Sequence, residues 1–341
     1  MLNLIFPIQE VRLFLIMNKI LITGGLGYLG TKLIRKLLNC NQNFQITVLD
    51  KKIFNQNVLQ DLILQKKISF IYGDVRDEAL VRNLVIKNDI LIPLAALVGA
   101  PICDMFKKEA KEINQDSIKF LVSLKSRDQK IIFPVTNSGY GIGEQGLFCD
   151  ENSELKPISL YGKTKVEAEK YVRSHENTIC LRLATVFGKS DRLRIDLLVN
   201  DFTYVAWKKK YLKIFQPKFR RNFVHVEDVA NCILFSLENF NLLKNEVYNF
   251  GLSTANLTKE QLCQKIKQFI PDFNYEVSLT GEDPDKRDYF VSNQKIEKKG
   301  FGASISLDYG IKELISSFSS NDCILSDNKE NIQNVKFTKS I

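Results

Sequence analysis

The chain has 341 residues, of which 45% are hydrophobic and 26% are charged, and its formal net charge is +9. This composition excludes a largely disordered chain and leaves room for one large domain or two smaller ones. The lysines are scattered and form no long basic run with interleaved aromatic residues. This pattern argues against nucleic acid as the partner, and the positive charge is compatible with an anionic small molecule without deciding for one.

The cysteines and the apolar runs indicate a cytoplasmic protein. The seven cysteines are spread along the chain without a C-x-x-C pair, which favours a reducing compartment and argues against a metal site. No apolar run approaches the roughly 18 residues that a membrane span needs. Residues 1–16 lack the basic leader and the cleavage site of a targeting signal. We expect these residues to be a loose or non-native extension, with Met17 as the functional start.

Residues 19–30, KILITGGLGYLG, are the first stretch that indicates a ligand. An apolar run ends in closely spaced glycines and is followed by an amphipathic run, which predicts a strand, a tight turn and a helix. Gly24, Gly27 and Gly30 have the spacing of a dinucleotide-binding turn, whose N–H groups hold a pyrophosphate at a helix N-terminus. The alternative is an ordinary glycine-rich turn. Asp50 ends the next predicted strand, where an acidic residue binds the ribose of NAD and repels the 2′-phosphate of NADP.

Strands and helices then alternate along the chain. Strands are predicted at 44–49, 68–72, 90–94, 130–135 and 179–183, and helices at 53–65, 77–87, 106–124 and 159–175. Alternation with nearly continuous apolar strands predicts a Rossmann-type, doubly wound parallel sheet in an α/β fold. Ligands of such sheets lie beyond the carboxyl ends of the strands, which here are followed by Asp74, Val75, Ala95 and Ala96. We expect Asp74 to accept from the adenine amino group, with a helix cap as the alternative.

The alternation stops near residue 188. This change predicts an NAD-binding domain at 17–188 and a smaller, mainly substrate-binding lobe at 189–320. A helix is predicted at 194–209. A strand at 247–251 is expected to return to the first sheet, so that the two lobes are interleaved in sequence. Residues 321–341 are polar and aperiodic, which predicts a loose tail.

Three motifs in this order resemble those of the extended short-chain dehydrogenases/reductases, in particular the NAD-dependent nucleotide-sugar epimerase/dehydratase group. TGGLGYLG is similar to the TGxxGxxG of that family, and Tyr161 and Lys165 match its YxxxK. Residues 136–141 resemble its Ser/Thr-x-x-x-Tyr-Gly, and the resemblance extends over about residues 19–313.

The resemblance implies an NAD-binding lobe, with Tyr28, Leu29, Tyr161 and Lys165 among the cofactor contacts. It also implies a second lobe that closes over a nucleoside-diphosphate sugar. A homodimer is expected, formed by the helices that contain Phe106 and Tyr161.

The chemistry expected of Tyr161 agrees with this assignment. Oxidation of a sugar hydroxyl needs a base that takes the proton while hydride leaves the carbon. Lowering a tyrosine pKa by about three units requires roughly 4 kcal/mol of phenolate stabilisation. Lys165, four residues on and on the same helix face, and a cationic nicotinamide ring are suitable sources. Thr136 is expected to orient the reacting oxygen. The alternative is an exposed tyrosine beside a solvated lysine.

Asn137 and Ser138 narrow the reaction. Dehydratases of this family resemble one another in having acidic residues directly after the catalytic threonine, and neither Asn137 nor Ser138 titrates near neutrality. We therefore expect an epimerase that acts through a transient 4-keto sugar by exchanging hydride with NAD. A nucleotide-sugar 4-reductase or dehydrogenase with the same residues is the alternative, and a non-catalytic dinucleotide-binding module is a third possibility.

Arginines are expected to bind the substrate diphosphate, because guanidinium forks match phosphate oxygens. By resemblance, Arg221 and Arg287 have this role, whereas the adjacent Arg220 is expected to be a solvated surface charge. Thr185 stands where many relatives carry an asparagine near the phosphate. His225 is expected to be packed and structural. The full set of expected substrate contacts is Thr136, Asn137, Ser138, Thr185, Arg221 and Arg287.

Overall fold

The structure is a computed structural model that describes residues 18–54, 57–144, 146–278 and 287–320. The expectations for residues 1–16, Met17 and residues 321–341 lie outside these ranges. The strands are β1 (Asn18–Thr23), β2 (Phe44–Asp50), β3 (Ile68–Tyr72), β4 (Ile90–Pro93), β5 (Lys130–Thr136), β6 (Phe148–Cys149), β7 (Thr178–Leu183), β8 (Thr185–Phe187), β9 (Tyr211–Phe215), β10 (Arg220–His225), β11 (Glu246–Phe250), β12 (Asn256–Thr258), β13 (Asn274–Ser278) and β14 (Phe290–Val291).

Helices follow most of the strands of the main sheet. They are α1 (Tyr28–Leu38), α2 (Gln60–Leu64), α3 (Glu78–Ile86), α4 (Ala100–Met105), α5 (Lys107–Lys111), α6 (Ser117–Ser123), α7 (Leu160–Arg173), α8 (Leu198–Lys209), α9 (Val226–Glu238), α10 (Phe240–Leu243), α11 (Lys259–Phe269), α12 (Gln294–Glu297) and α13 (Leu307–Ser319). One π-helical turn, Glu112–Asp116, joins α5 to α6.

The main sheet has seven parallel strands in the order β11-β7-β5-β4-β1-β2-β3. Side chains alternate between its two faces: Ile20 and Ile22 enter the core formed with α1 and α9, whereas Leu21 enters the core formed with α3, α6 and α7. Because helices cover both faces, the strands are almost entirely apolar. The predicted Rossmann-type fold is confirmed.

A second core lies beside the sheet in the C-terminal part of the chain. It is formed by α8, α11 and α13 around the three-stranded sheet β12-β10-β8. The strand predicted at 247–251 is β11, which pairs with β7 and lies at the edge of the main sheet. The chain therefore crosses from the second core back to the first. Within the described ranges, none of the helices combines the length and the hydrophobicity that a bilayer span requires.

Two predicted helices begin later than expected. The prediction of a helix at 53–65 is wrong at residues 53, 54 and 57–59, because α2 begins only after Leu59, whose left-handed φ of 58° interrupts a right-handed helix. The helix predicted at 194–209 begins at Leu198. Its first expected turn is instead drawn into a loop, where the Asn200 side chain donates to Arg194 O at 2.9 Å and accepts from Gly188 N at 3.0 Å.

Candidate active site

The glycine turn between β1 and α1 is shaped for a close ligand. Gly24 has a left-handed φ of 70°, and a Cβ there would lie 2.6 Å from the Ala95 backbone. A Cβ on Gly30 would lie 2.5 Å from Gly25 O, so its absence lets α1 pack against the turn. Gly27 is the N-cap of α1 and has no side chain to cap the first N–H groups. These groups have no partners within the helix, which makes the turn suitable for an anion.

Two predicted cofactor residues of this turn have buried or partly buried side chains. Tyr28 is 7% exposed, and its hydroxyl donates to Gly188 O at 2.7 Å. Leu29 packs against both cores. We therefore expect these two residues to contact a cofactor through their backbone atoms. Their assignment as cofactor contacts stays a prediction.

Asp50 lies at the end of β2, directly beside the glycine turn. Its carboxylate accepts from Leu26 N at 3.0 Å and from Lys52 N at 2.7 Å. Burial raises the pKa of Asp50, and the two backbone N–H groups act in the opposite direction. The carboxylate thus ties the turn to the edge of the sheet, in a position that agrees with the predicted ribose contact.

Asp74 follows β3 and is held by two cations. Arg76 makes a two-pronged pair with it, at 3.1 and 2.7 Å, and Lys51 Nζ lies 2.9 Å away. Burial raises the pKa of Asp74, but the hydrogen bonds from Arg76 and Lys51 outweigh it and the net pKa is lowered. The alternative interpretation of Asp74 as a helix cap is wrong, because Asp77 caps α3 by accepting from Leu80 N. The contact with adenine stays a prediction, and Val75 beside it packs against the core.

Ala95 and Ala96 follow β4, where a residue that the sequence analysis missed holds the loop. Asn114 is fully buried, donates to Leu97 O at 2.9 Å and accepts from Leu97 N at 2.8 Å. It lies in the π-helical turn, a feature that often occurs at functional sites and that interrupts the helix predicted at 106–124. In the sequence, Asn114 could have been recognised as a polar residue within an amphipathic helix pattern.

The hydroxyl groups of Thr136 and Tyr161 meet at the carboxyl end of β5. Thr136 Oγ1 lies 2.8 Å from Ser138 Oγ, and the Thr136 side chain is close enough to the Tyr161 hydroxyl to lower its pKa. Burial raises the pKa of Tyr161 to about 12, and Arg194, Arg287 and the Thr136 hydrogen bond act to lower it. Asn137 is 1% exposed, and neither polar atom of its amide has a partner among the described residues. The structure thus brings the predicted base, its orienting hydroxyl and an unsatisfied amide together.

Lys165 lies one turn after Tyr161 on α7, whose predicted cap, Ser159, accepts from Gly162 N. It is only 5% exposed, with Nζ 4.1 Å from the centre of the Phe133 ring, and it has no hydrogen-bond acceptor among the described residues. Burial lowers the pKa of Lys165 to about 7, while Cys180 and Glu169 act in the opposite direction. The interpretation of Lys165 as a solvated lysine is therefore wrong.

A buried ion pair fixes α7 behind Lys165. Arg182 on β7 and Glu169 on α7 are each 2% exposed, and Arg182 Nη2 lies 2.6 Å from Glu169 Oε1. A second Arg182 nitrogen donates to the Tyr140 hydroxyl at 3.0 Å. Breaking one partner of such a pair leaves an uncompensated buried charge, so the pair keeps the helix and the strand in one arrangement.

The predicted diphosphate arginines converge on the end of β5. Arg221, 2% exposed, donates to the carbonyl of Arg287, and Arg287 in turn donates to Ser138 Oγ. Arg220 is not the solvated charge that was expected, because its guanidinium pairs with both oxygens of Asp288 at 2.8 and 3.0 Å.

Two further predicted residues lie near the second core. Thr185 begins β8 and pairs with Phe223 on β10, so its phosphate contact stays a prediction. His225 is 1% exposed and caps α9 while its Nε2 lies 3.0 Å from Glu313, which agrees with a structural role.

Residues 188–196, here called the strap, form a part of the site that the sequence pattern did not predict. This segment crosses the carboxyl edge of the main sheet. Ser190 Oγ donates to Tyr28 O at 2.7 Å and lies 2.8 Å from Thr31 Oγ1. Arg35 Nε donates to Asp191 at 2.6 Å. All three partners are on α1, so the strap is fastened to the helix that begins at the glycine turn.

Two arginines of the strap point to loops that follow strands of the main sheet. The Arg192 guanidinium lies 4.0 Å from the centre of the Phe54 ring, beyond β2. Arg194 donates to Val98 O at 3.3 Å, beyond β4, and pairs with Asp196. The signal in the sequence was the R-x-R pair itself, which places two cationic side chains close together in the segment that follows β8.

Comparison with known proteins places the chain among NAD-dependent enzymes. The family model of the NAD dependent epimerase/dehydratase family matches residues 20–251. Human dTDP-D-glucose 4,6-dehydratase is 25% identical over 324 residues, which cover 89% of this chain and 91% of that protein. The solved UDP-glucuronic acid 4-epimerase of Bacillus cereus, in complex with UDP-glucuronic acid and NAD, has a TM-score of 0.76 at 22% identity. That match covers 87% of this chain and 98% of the other and supports the fold.

Proposed function

We propose that this chain, which belongs to the NAD dependent epimerase/dehydratase family, is a nucleotide-sugar epimerase that acts through a transient 4-keto sugar. The observation that carries the proposal is the catalytic group of Thr136, Tyr161 and Lys165. Directly after Thr136 stand Asn137 and Ser138, at the positions where dehydration needs an acid and a base. Because the chain is similar to a human dehydratase, Asn137 and Ser138 are the residues that separate an epimerase from a dehydratase in this proposal.

The residues present fit the NAD on which the family depends. The glycine turn leaves a cradle that a side chain at Gly27 would fill, since a Cβ there would lie 3.0 Å from Gly24 O and would meet no other atom within 4 Å. Asp50 would accept from the adenosine ribose, and Lys165, a buried amine with no acceptor among the described residues, would donate to the nicotinamide ribose. When bound, NAD supplies a hydride acceptor and a positively charged ring beside Tyr161.

Tyr161 takes and returns the proton of the sugar hydroxyl. The Thr136 side chain lies close enough to lower the pKa of the Tyr161 hydroxyl, and it would orient the reacting oxygen of the sugar. The Arg194 and Arg287 charges favour the phenolate, since both lower the pKa of Tyr161. Proton transfer by one positioned group is sufficient for oxidation at C4 and for reduction on the opposite face.

Removal of water from the sugar would need a further acid and base near C5 and C6. Asn137 and Ser138 occupy the predicted positions and do not titrate near neutrality. The buried Asn137 amide instead offers two donors and an acceptor to a sugar hydroxyl, which would satisfy its otherwise unpaired atoms. This supports a reaction in which the sugar keeps all its oxygens.

Arg221 and Arg287 are proposed to bind the substrate diphosphate. The contact between them sets Arg287 against Ser138, two residues beyond the end of β5. A diphosphate bound there would place the attached sugar close to Thr136 and Tyr161. We further propose a cytoplasmic homodimer. The six cysteines in the described ranges are free thiols, in agreement with a reducing compartment. A monomeric mass in solution would disprove the dimer.

The test combines cofactor content with isotope labelling. The purified protein is denatured and its released nicotinamide is quantified, and we expect NAD in stoichiometric amount because an epimerase regenerates it in each turnover. The protein is then incubated in D2O with UDP- and dTDP-hexoses. We expect the C4 epimer without solvent deuterium on carbon and without loss of water.

Other outcomes would contradict the proposal. A dehydrated product that carries solvent deuterium identifies a dehydratase. Stoichiometric consumption of added NADH or NAD identifies a reductase or a dehydrogenase. If no nucleotide sugar is altered although NAD is bound, the chain is a binding module.

A further inference from the structure

We propose that Arg192 and Arg194 of the strap bind the pyrophosphate of the dinucleotide cofactor from the side opposite the glycine turn. This assigns to the C-terminal lobe a part of the cofactor site that the sequence pattern places wholly in the first domain. The proposal rests on the proposed function only for the identity of the cofactor as NAD.

The positions of the two arginines bracket the centre of a dinucleotide. The Arg192 charge acts on the carboxyl group of Asp50, the predicted contact of the adenosine ribose. The Arg194 charge acts on the hydroxyl of Tyr161, which lies at the nicotinamide end. The pyrophosphate joins the two nucleosides, so in a bound dinucleotide it would lie between these two ends, where the two guanidinium groups could bind it.

The Arg192 guanidinium lacks the acceptors that such a group needs. Among the described residues it contacts the Phe54 ring but has neither a hydrogen-bond acceptor nor an ion-pair partner. Burial lowers the pKa of Arg192 to about 10, and the nearby Arg194 charge acts in the same direction. A guanidinium has five N–H donors, and burying them even partly costs free energy unless hydrogen-bond acceptors replace the lost water.

The nearby carboxylates are already engaged. Asp196 pairs with Arg194, and Asp50 accepts from the N–H groups of Leu26 and Lys52. A pyrophosphate offers several anionic oxygens to the planar forks of two arginines. It also accepts from the first N–H groups of α1 on its other side. The anion would therefore be held between backbone donors and side-chain donors.

The strap is fastened to α1 directly before its two arginines. Ser190 and Asp191, the residues directly before Arg192, are bonded to α1. On the far side, Arg194 is bonded to Val98 O. A strap held at both ends would slow the release of NAD, which suits an enzyme that regenerates its cofactor in every turnover.

The experiment measures ligand affinity and needs no turnover. Arg192→Gln, Arg194→Gln and the double variant are freed of cofactor and titrated with NAD, ADP-ribose, adenosine and UDP. The matched control is Arg127→Gln, an exposed arginine between α6 and β5. Hydrogen bonds to charged groups contribute about 1.5–3 kcal/mol, so each variant should bind NAD and ADP-ribose roughly 10- to 100-fold more weakly. Binding of adenosine and UDP should stay within about twofold of the wild type.

Each remaining outcome overturns the assignment. Weaker UDP binding with unchanged NAD binding would show that the arginines serve the diphosphate of the sugar nucleotide. An equal loss for adenosine and ADP-ribose would show an indirect effect on the shape of the site. Unchanged affinity for all four ligands would remove the arginines from the site.

A fallback covers variants that fail to fold. Arg192→Lys and Arg194→Lys keep the charge but lose the planar fork, and the ratio of ADP-ribose to adenosine affinity is read in the same way. Since only binding is measured, a failed epimerase assay would leave this result standing, and a failed binding assay would leave the proposed reaction standing.

Discussion

The two sides of the cofactor site are built on different principles. The sheet side consists of the glycine turn, Asp50 and the Tyr161 helix, where missing side chains and buried hydroxyls define a shape. The strap side consists of long cationic side chains on a loop that is fastened to α1. Changes on the sheet side should therefore abolish chemistry or folding, whereas changes on the strap side should weaken the hold on the cofactor.

The largest expected effect separates chemistry from binding on the sheet side. Tyr161→Phe removes the proton-transferring hydroxyl and should lower turnover by roughly 10³-fold, in line with general acid–base catalysis. The affinity for NAD should change little, because the variant keeps the ring and the helix. Turnover and NAD affinity are measured in parallel, with Tyr171→Phe on the same helix as the control. Near wild-type turnover of a folded, NAD-bound Tyr161→Phe protein would refute the role of Tyr161.

Gly24→Ala should damage the shape of the cradle. The added Cβ would stand 2.6 Å from the Ala95 backbone, at a φ of 70° that L-residues rarely adopt. Left-handed strain and overpacking together should destabilise the protein by about 3 kcal/mol and weaken NAD binding. Gly300→Ala is the matched control, because it has a φ of 94° but open space around the Cβ. Equal losses of unfolding free energy in both variants would show that the close approach to Ala95 is not required.

The pH dependence of stability tests the burial of Lys165. Its pKa is lowered to about 7 in the folded protein, against an ordinary value of 10.5. Between these values the unfolded chain binds more protons, so this group makes the folded state more stable as pH rises from about 7 toward 10. In cofactor-free protein, the difference in unfolding free energy between wild type and Lys165→Met should change by up to about 1.4 kcal/mol per pH unit. A difference that stays flat over this range would show that Lys165 keeps its charge in the folded state.

Local patterns were sufficient to predict most of the sheet side. Alternating apolar strands and amphipathic helices reported the sheet because burial on both faces imposes that pattern on the sequence. Gly24 and Gly30 could be recognised because only glycine fits where a backbone approaches so closely. The roles of Tyr161 and Lys165 were predicted from four-residue spacing together with the resemblance, and their burial was not.

The strap could not be predicted because its contacts are distant in sequence. The helical composition of residues 194–209 predicts a helix that includes Arg194. Its place is decided by Asn200, which holds the loop open at Gly188, and by Val98, nearly a hundred residues earlier. Asn114 was missed for the same reason, because its two bonds to Leu97 belong to a loop beyond another strand.

The smallest expected effect tests whether the fastening of the strap matters. Ser190→Ala removes the hydrogen bond to Tyr28 O and the contact with Thr31, and no charge is altered. A hydrogen bond of this kind contributes about 1 kcal/mol, so NAD should bind about fivefold more weakly and dissociate faster.

Ser236→Ala is the control, since Ser236 is buried and its hydroxyl donates within its own helix, to Cys232 O. Dissociation rates are followed by the loss of cofactor on dilution. If Ser190→Ala releases NAD no faster than Ser236→Ala, the arginines hold the cofactor without help from α1. If Ser190→Ala does release NAD faster, the two sides of the site act together. The helix α1 would then both present backbone donors to the pyrophosphate and anchor the strap that carries the two arginines.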